Sequence, residues 1–167
     1  MTWKKHLNVN TKPHKFKATP IPSGFVLVRD TREQQPLFTR TKDLMVLVKT
    51  LHDGDYSIRG FEDQFAIELK RESDFYGYIG AERDKTIKKL KRLAGFDFAA
   101  LVVEGLSWDD LAVQNSRSAL TPSHVRGFVA SLNTIHGIHF FCHRDRKIVE
   151  RWILDRAVKF YRQQRVI

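Results

Sequence analysis

Two carboxylates and one lysine carry the most specific chemistry in this sequence. Glu68 and Lys70 belong to residues 65–70, where apolar and polar residues alternate, so in a strand both side chains lie on one face. Asp55 opens a second strand-like run, and the turn-rich residues 60–63 between the two runs predict an antiparallel hairpin. The hairpin brings Asp55 near Glu68, and oxygen ligands of this kind hold Mg²⁺ or Mn²⁺. Such an ion can polarise a phosphate and activate water, while a lysine orients that water or stabilises developing charge.

Hydrophobic patterns on either side of the hairpin predict the elements that position it. An amphipathic helix is indicated by an apolar repeat at i, i+3, i+4 and i+7, formed by Leu44, Leu47, Val48 and Leu51. The other predicted elements are a strand at 25–29, a helical region capped by Ser73 or Asp74, a helix at 82–94, a strand at 98–103, a helix from Thr121, a strand at 138–142 and a helix at 145–164. This order predicts one α/β domain with a mixed central sheet flanked by helices.

The composition favours a polyanionic partner. The 167 residues are enough for one domain with a sizeable core, and 42% of them are hydrophobic. The net charge of +10 indicates nucleic acid first and an anionic membrane second. Residues 1–22 contain five lysines, three prolines and no acidic residue, so we expect a basic, flexible tail before a domain at 23–167. This tail is either an arm that lies along phosphates or a solvated leader.

The predicted helix at 82–94 is the second concentration of positive charge. Five of its basic residues are candidate DNA contacts: Lys85, Lys88, Lys89, Lys91 and Arg92. Such a run is often only a solvated helix face, but beside a metal site in a basic protein we interpret it as a phosphate-binding surface.

The sequence disfavours a membrane span, a secretory signal, a disulfide and a zinc site. No apolar run is long enough to span a bilayer and no secretory pattern is present, so we expect no membrane partner. Cys142 is the only cysteine, which excludes an intrachain disulfide. His136, His139, Cys142 and His143 are close in sequence, but a tetrahedral zinc site would need ligands from both faces of the predicted strand. We therefore interpret Cys142 as an isolated buried cysteine.

Four sequence elements, taken in order, resemble one known family. They are Asp30-Thr31-Arg32-Glu33, Gly54-Asp55, Glu68-Leu69-Lys70-Arg71-Glu72-Ser73-Asp74, and the apolar run that ends in Glu104. The chain, over residues 25–160, resembles the nuclease domain of the XPF family of structure-selective DNA endonucleases, within the restriction-endonuclease-like superfamily. The resemblance implies a restriction-endonuclease-like core and Mg²⁺- or Mn²⁺-dependent hydrolysis of DNA that leaves a 5′-phosphate and a 3′-hydroxyl. Dimers of the chain, with itself or with another nuclease subunit, are also implied.

The resemblance assigns roles to particular residues. Asp55 and Glu68 are expected to bind the metal, Asp30 to be a third acid near it, and Lys70 to orient water and stabilise charge. Arg32, Glu33 and Asp74 are expected to orient these groups or to touch phosphate. Other interpretations stay open: a surface ion-pair network for the acids and Lys70, a salt bridge between Arg32 and Glu33, and a helix cap at Asp74.

The sequence departs from the family pattern in two ways. Leu69 stands where the family signature has arginine, which removes a contact of that side chain to DNA or to the protein. No helix-hairpin-helix pattern follows the nuclease core in this sequence, and we expect substrate structure to be read by the core, the tail, a second copy or a partner. Alternative functions are a non-catalytic DNA-binding scaffold subunit and a Holliday-junction resolvase. We expect a cytoplasmic protein, associated with the nucleoid or with host cytoplasm if viral, and nuclear if eukaryotic.

Overall fold

The centre of the fold is a mixed six-stranded sheet. The computed structural model describes residues 19–165, and the strand order is β2-β1-β3-β4-β5-β6. The strands are β1 Val26–Arg29, β2 Met45–Val48, β3 Tyr56–Ile58, β4 Phe65–Arg71, β5 Phe98–Glu104 and β6 His139–His143. The helices are α1 Glu72–Ile79, α2 Arg83–Leu93, α3 Pro122–Thr134 and α4 Arg146–Gln164. β3 pairs antiparallel with β1 and β4, whereas the other neighbours are parallel. The predicted α/β domain with a mixed sheet is confirmed.

Side-chain alternation along β4 and β5 separates two hydrophobic layers. Phe65, Ile67 and Leu69 of β4 pack with residues of α4 on one face. Ala66 of β4 packs on the opposite face, with residues of α1, α2 and α3. The inner residues of β5 are buried on both faces, as its continuous apolar sequence predicts for a central parallel strand. Glu68, which follows Ile67, therefore faces the layer of α1 and α2.

Helix boundaries follow local capping chemistry in two places. α3 begins with Pro122 at its first position, and the Thr121 hydroxyl accepts a hydrogen bond from the His124 amide at 3.3 Å. α4 follows Asp145, whose side chain accepts from the Lys147 amide at 2.8 Å. Both starts are confirmed. The predicted caps of α1 are wrong, because that helix begins at Glu72, directly after β4, with no side-chain cap.

The helix predicted around residues 44–51 is also wrong. Residues Met45–Val48 form edge strand β2, which pairs in parallel with β1 from Val26↔Met45 to Arg29↔Val48. A short apolar run fits helical and strand periodicity equally well, and the β-branched Val46 and Val48 favour a strand. Hydrogen bonding to the free edge of β1 then favours the strand over the helix, because a helix of only four residues gains little stability by itself.

Two further observations concern the chain ends and the membrane. The predicted tail comprises residues 1–22, and its residues 1–18 lie outside the described residues. Its described part lies against α4, where Arg162 donates a hydrogen bond to the Pro20 carbonyl at 3.0 Å and Ile21 packs on the core. Between residues 19 and 165, no helix is long and apolar enough to cross a membrane.

Candidate active site

Asp55 is fixed to the middle of β4 by its backbone and its side chain. Its amide donates to the Ile67 carbonyl at 2.7 Å, and its Oδ2 accepts from the Leu69 amide at 2.7 Å. Gly54 permits this approach, because its φ is +81° and a Cβ at this position would lie 3.1 Å from the Ile67 carbonyl oxygen. Burial, with a smaller effect of the Glu68 carboxylate, raises the pKa of Asp55 to about 6.

Glu68 is a fully buried carboxylate with two ammonium groups beside it. Its side chain is 0% exposed, Lys70 Nζ donates to Oε1 at 2.6 Å, and Lys89 Nζ lies 2.5 Å from Oε2. Lys70 Nζ also donates to the Leu69 carbonyl at 3.2 Å and lies 4.9 Å from the centre of the Tyr78 ring. Burial by itself lowers the pKa of Lys70, but the Glu68 and Asp55 carboxylates outweigh it and raise that pKa above its ordinary value. Asp55, Glu68 and Lys70 thus converge, as the hairpin predicted.

Asp30 and Arg32 form a rigid pair next to this cluster. Both oxygens of Asp30 accept hydrogen bonds. Oδ1 accepts from the Arg32 amide at 2.8 Å and from Arg32 Nε at 2.7 Å. Oδ2 accepts from the Leu51 amide at 2.7 Å and from Arg32 Nη2 at 3.0 Å. The bonds from Arg32 lower the pKa of Asp30 to about 2. The Arg32 pKa is raised chiefly by Asp30, with smaller effects of Asp55 and Glu68, so the guanidinium lies within electrostatic reach of both acids. The contacts of Asp30 favour a role in holding Arg32, and its role as a third metal ligand stays a prediction.

The other two predicted acids, Glu33 and Asp74, have different surroundings from each other, and the roles expected of them stay predictions. Glu33 accepts from the Gln35 amide at 2.8 Å and lies 3.5 Å from Arg71. Asp74 is exposed in the first turn of α1, close enough for its charge to raise the pKa of Lys70.

Glu104 lies on the opposite face of the sheet from Glu68. It is paired in register with Arg71. Arg71 and Arg146 contact its two oxygens at 2.9 and 3.2 Å. The strand-end glutamate therefore secures α4 to β4, away from Glu68.

The predicted basic residues of α2 fall into two groups. Lys85, Lys88 and Lys91 are exposed and available to a polyanion. Lys89 is turned onto Glu68, and Arg92 forms an ion pair at 2.9 Å with Asp53, which is 4% exposed and also contacts His52.

Sequence reasoning missed the inward contacts of Lys89 and Arg92. Thr86, Leu90 and Leu93 form the buried stripe of α2. Lys89 lies three residues after Thr86 and four before Leu93, so helical periodicity places it at the border of the stripe, whereas Arg92 lies farther round the helix. That position was the available signal for the contact of Lys89 with Glu68, and the sequence of α2 holds no such signal for Arg92.

The histidines of β6 and Cys142 are separated from Glu68 on β4 by strand β5. The His139 ring stacks on Phe98 with centroids 4.8 Å apart, and His143 Nδ1 accepts from the Asp145 amide at 2.9 Å. Burial raises the pKa of the Cys142 thiol to about 11.

The carboxylates fit a divalent ion that takes few protein ligands. Within residues 19–165, no group of three or more His, Cys, Asp or Glu side chains is arranged to hold a metal ion by itself. Glu68 Oε2 is buried without a hydrogen bond of ordinary geometry, although Lys89 lies beside it. Mg²⁺ binds through one or two carboxylates and completes its shell with water and phosphate oxygens. Asp55 and Glu68 supply that number.

Solved structures with this fold include two of XPF from Aeropyrum pernix. This chain is similar to XPF from Aeropyrum pernix, with a TM-score of 0.58 and 23% identity over 74% of this chain and 57% of that one. It is also similar to XPF from Aeropyrum pernix in complex with DNA, with a TM-score of 0.62 and 21% identity over 83% of this chain and 65% of that one. The chain thus spans about three fifths of the length of both. No curated protein matches the sequence.

A sequence model of a protein family identifies the family to which this chain belongs. The ERCC4 domain model matches residues 29–155, which begin in β1 and end within α4. That range contains all four elements that carry the resemblance: Asp30 to Glu33, Gly54-Asp55, Glu68 to Asp74, and Glu104. The chain therefore belongs to the ERCC4 domain family, and the prediction of an XPF-family nuclease domain is confirmed.

Proposed function

We propose that this protein is a divalent-metal-dependent DNA endonuclease that acts on branched or otherwise structured DNA. The observation that carries the proposal is the convergence of Asp55, Glu68 and Lys70 at one place on β4. Membership of the ERCC4 domain family and the net charge of +10 support DNA as the polyanion. The similar XPF from Aeropyrum pernix in complex with DNA also supports this choice.

In this proposal Asp55 and Glu68 hold Mg²⁺ or Mn²⁺. When bound, the ion polarises the scissile phosphate and makes water a better nucleophile. The protein fixes both carboxylates in advance, because Asp55 Oδ2 is held by the Leu69 amide and the Glu68 side chain is enclosed. Preorganised groups cost no reorganisation during the reaction, which is the main advantage of a folded site.

Lys70 and Arg32 supply the positive charge. Lys70 is held on three sides, by Glu68, the Leu69 carbonyl and the Tyr78 ring, so its ammonium can stabilise charge at a fixed point. Arg32 is locked by Asp30 and the Leu51 carbonyl yet 68% exposed, which suits a phosphate contact beside the reacting group. The exposed Lys85, Lys88 and Lys91 would contact phosphates farther along the duplex.

The proposal is tested by cleavage of flaps, forks, four-way junctions and linear duplex in Mg²⁺ and in Mn²⁺. Asp55→Asn and Glu68→Gln should abolish cleavage and leave most of the DNA affinity. Asp63→Asn, an exposed acid in the hairpin turn, is the matched control and should cut like the parent. Full activity in either site variant would contradict the site assignment.

The same panel separates the alternatives. A parent protein that binds these substrates but cuts none in either metal would favour a scaffold subunit, and symmetrical cutting of junctions alone would favour a resolvase. Light scattering with and without DNA tests whether the chain forms a homodimer, the alternative being a heterodimer with another nuclease subunit.

A further inference from the structure

Lys89 occupies an unusual position among the basic residues of α2. Lys85, Lys88 and Lys91 are exposed, whereas the Lys89 side chain is 27% exposed and its Nζ lies 2.5 Å from Glu68 Oε2. Thr86 and Leu90, on either side of Lys89 in the sequence, are both buried, so this side of α2 faces the protein interior. One carboxylate of the proposed metal site therefore has a cationic partner from another element of the fold.

The two lysines beside Glu68 are held differently. Lys70 has three partners, namely Glu68 Oε1, the Leu69 carbonyl and the Tyr78 ring. Within the described residues, Glu68 Oε2 is the single close polar partner of Lys89, and their contact lacks the geometry of a hydrogen bond. Lys89 is also the more exposed of the two, at 27% against 20%. It is therefore the lysine that can leave.

We propose that Lys89 and the divalent ion are alternative partners of Glu68 Oε2, so that metal binding releases Lys89 to contact a DNA phosphate. This inference rests on the proposed function. A Mg²⁺ ligand oxygen lies about 2.0–2.1 Å from the ion. An ammonium 2.5 Å from the same oxygen would meet strong repulsion from the ion, and the flexible four-carbon stem of lysine lets it move away. Lys89 is then a positioning residue that sets metal affinity and couples metal binding to DNA binding.

The coupling has a definite sign. Metal binding frees one positive charge at the border of the α2 surface, next to the exposed Lys85 and Lys88, so metal should strengthen DNA binding. By thermodynamic reciprocity, DNA that engages Lys89 should strengthen metal binding by the same factor.

The first measurement is Mn²⁺ binding by calorimetry without DNA. Lys89→Met and Lys89→Gln should bind Mn²⁺ at least about tenfold more tightly than the parent, which corresponds to ~1.4 kcal/mol. Lys88→Met and Lys91→Met remove the same charge from exposed positions of α2, and solvent and salt should limit their effect to less than about threefold. A merely structural lysine would give weaker or unchanged binding on removal, not tighter binding.

The outcomes distinguish this inference from the proposed function. Mn²⁺ binding by the parent that disappears in Glu68→Gln, with equal affinity in parent and Lys89 variants, would overturn the inference and leave the metal site in place. Absence of Mn²⁺ binding by the folded parent would overturn both. If Lys89→Met fails to fold, Lys89→Gln keeps the test, because its amide can still donate to Glu68.

The second measurement concerns the released lysine. For each protein, log K for duplex DNA is measured against log salt in Ca²⁺ and in EDTA. The increase in slope on adding Ca²⁺ should be smaller in Lys89→Met than in the parent by about one unit, since each lost phosphate contact removes ~0.9 from the slope. In Lys88→Met, the slope should increase on adding Ca²⁺ by as much as it does in the parent. Equal increases in parent and Lys89→Met would contradict release onto DNA.

Discussion

Replacement of Lys70 by methionine is the sharpest test of how this site would act. The change keeps most of the side-chain volume over the Tyr78 ring and removes the ammonium that lies 2.6 Å from Glu68 Oε1. If Lys70 stabilises the transition state, its loss should lower the cleavage rate by about 10²–10³, or roughly 3–4 kcal/mol, as for other preorganised electrostatic donors. A lysine that only contacts phosphate would instead weaken affinity and leave the rate of bound substrate unchanged.

The stability of the variant needs separate attention. Removing one partner of a buried ion pair typically costs about 3–5 kcal/mol, because the remaining charge is left uncompensated. In this protein Lys89 stays beside Glu68, so we expect a loss at or below the lower end of that range. Thermal unfolding of parent and variant identifies a temperature at which both are folded, and kinetics are compared there.

The assay is single-turnover cleavage with enzyme in excess, with DNA affinity measured independently in Ca²⁺. Lys91→Met, at an exposed position of α2, is the control for loss of one positive charge. A cleavage rate of Lys70→Met within a few-fold of the parent would refute the assignment and reduce Lys70 to a structural or general electrostatic residue.

Two further predictions concern the frame of the site. Gly54→Ala should destabilise the fold by about 1–3 kcal/mol, because φ is +81° there and the new Cβ would lie 3.1 Å from the Ile67 carbonyl oxygen; chemical denaturation measures this. Gly77→Ala in α1 is its control, since nothing lies within 4 Å and alanine favours a helix interior. The Arg144 guanidinium, with help from Ser107, holds the pKa of Asp110 far below its ordinary value of 3.8, so this carboxylate contributes stability above pH 4 that is lost as the pH falls further. Asp110→Asn should therefore flatten the fall in the free energy of unfolding as the pH is lowered below about 4, and an unchanged pH dependence in that range would contradict this.

The hairpin shows what local sequence can predict. The alternation at 65–70 identified which side chains share a face, and the turn at 60–63 identified antiparallel pairing. Together they placed Asp55 near Glu68, and the structure has Asp55 bonded to the residue after Glu68. Both signals lie within the hairpin itself, so they were sufficient to predict it without knowledge of the rest of the fold.

Other features depend on register and packing between distant elements. The face of the sheet on which Glu104 lies is settled by the pairing of β4 with β5, in which Arg71 is opposite Glu104. Edge strand β2 depends on the free hydrogen-bonding edge of β1. The inward turn of Lys89 depends on how α2 rotates over the sheet, which a run of lysines does not reveal.

The loop that carries Arg32 is secured by the last helix of the fold. Arg146 donates hydrogen bonds to the carbonyls of Gln35 and Pro36, both at 2.8 Å, and Glu150 accepts from the Phe38 amide at 2.6 Å. These contacts join residues more than 100 positions apart in sequence. Contacts of such separation form slowly, because loop closure precedes any gain from them. During synthesis, the hairpin with Asp55 and Glu68 can form early, whereas the part of the loop from Gln35 to Phe38 gains its contacts with Arg146 and Glu150 only after α4 has been synthesised and has docked.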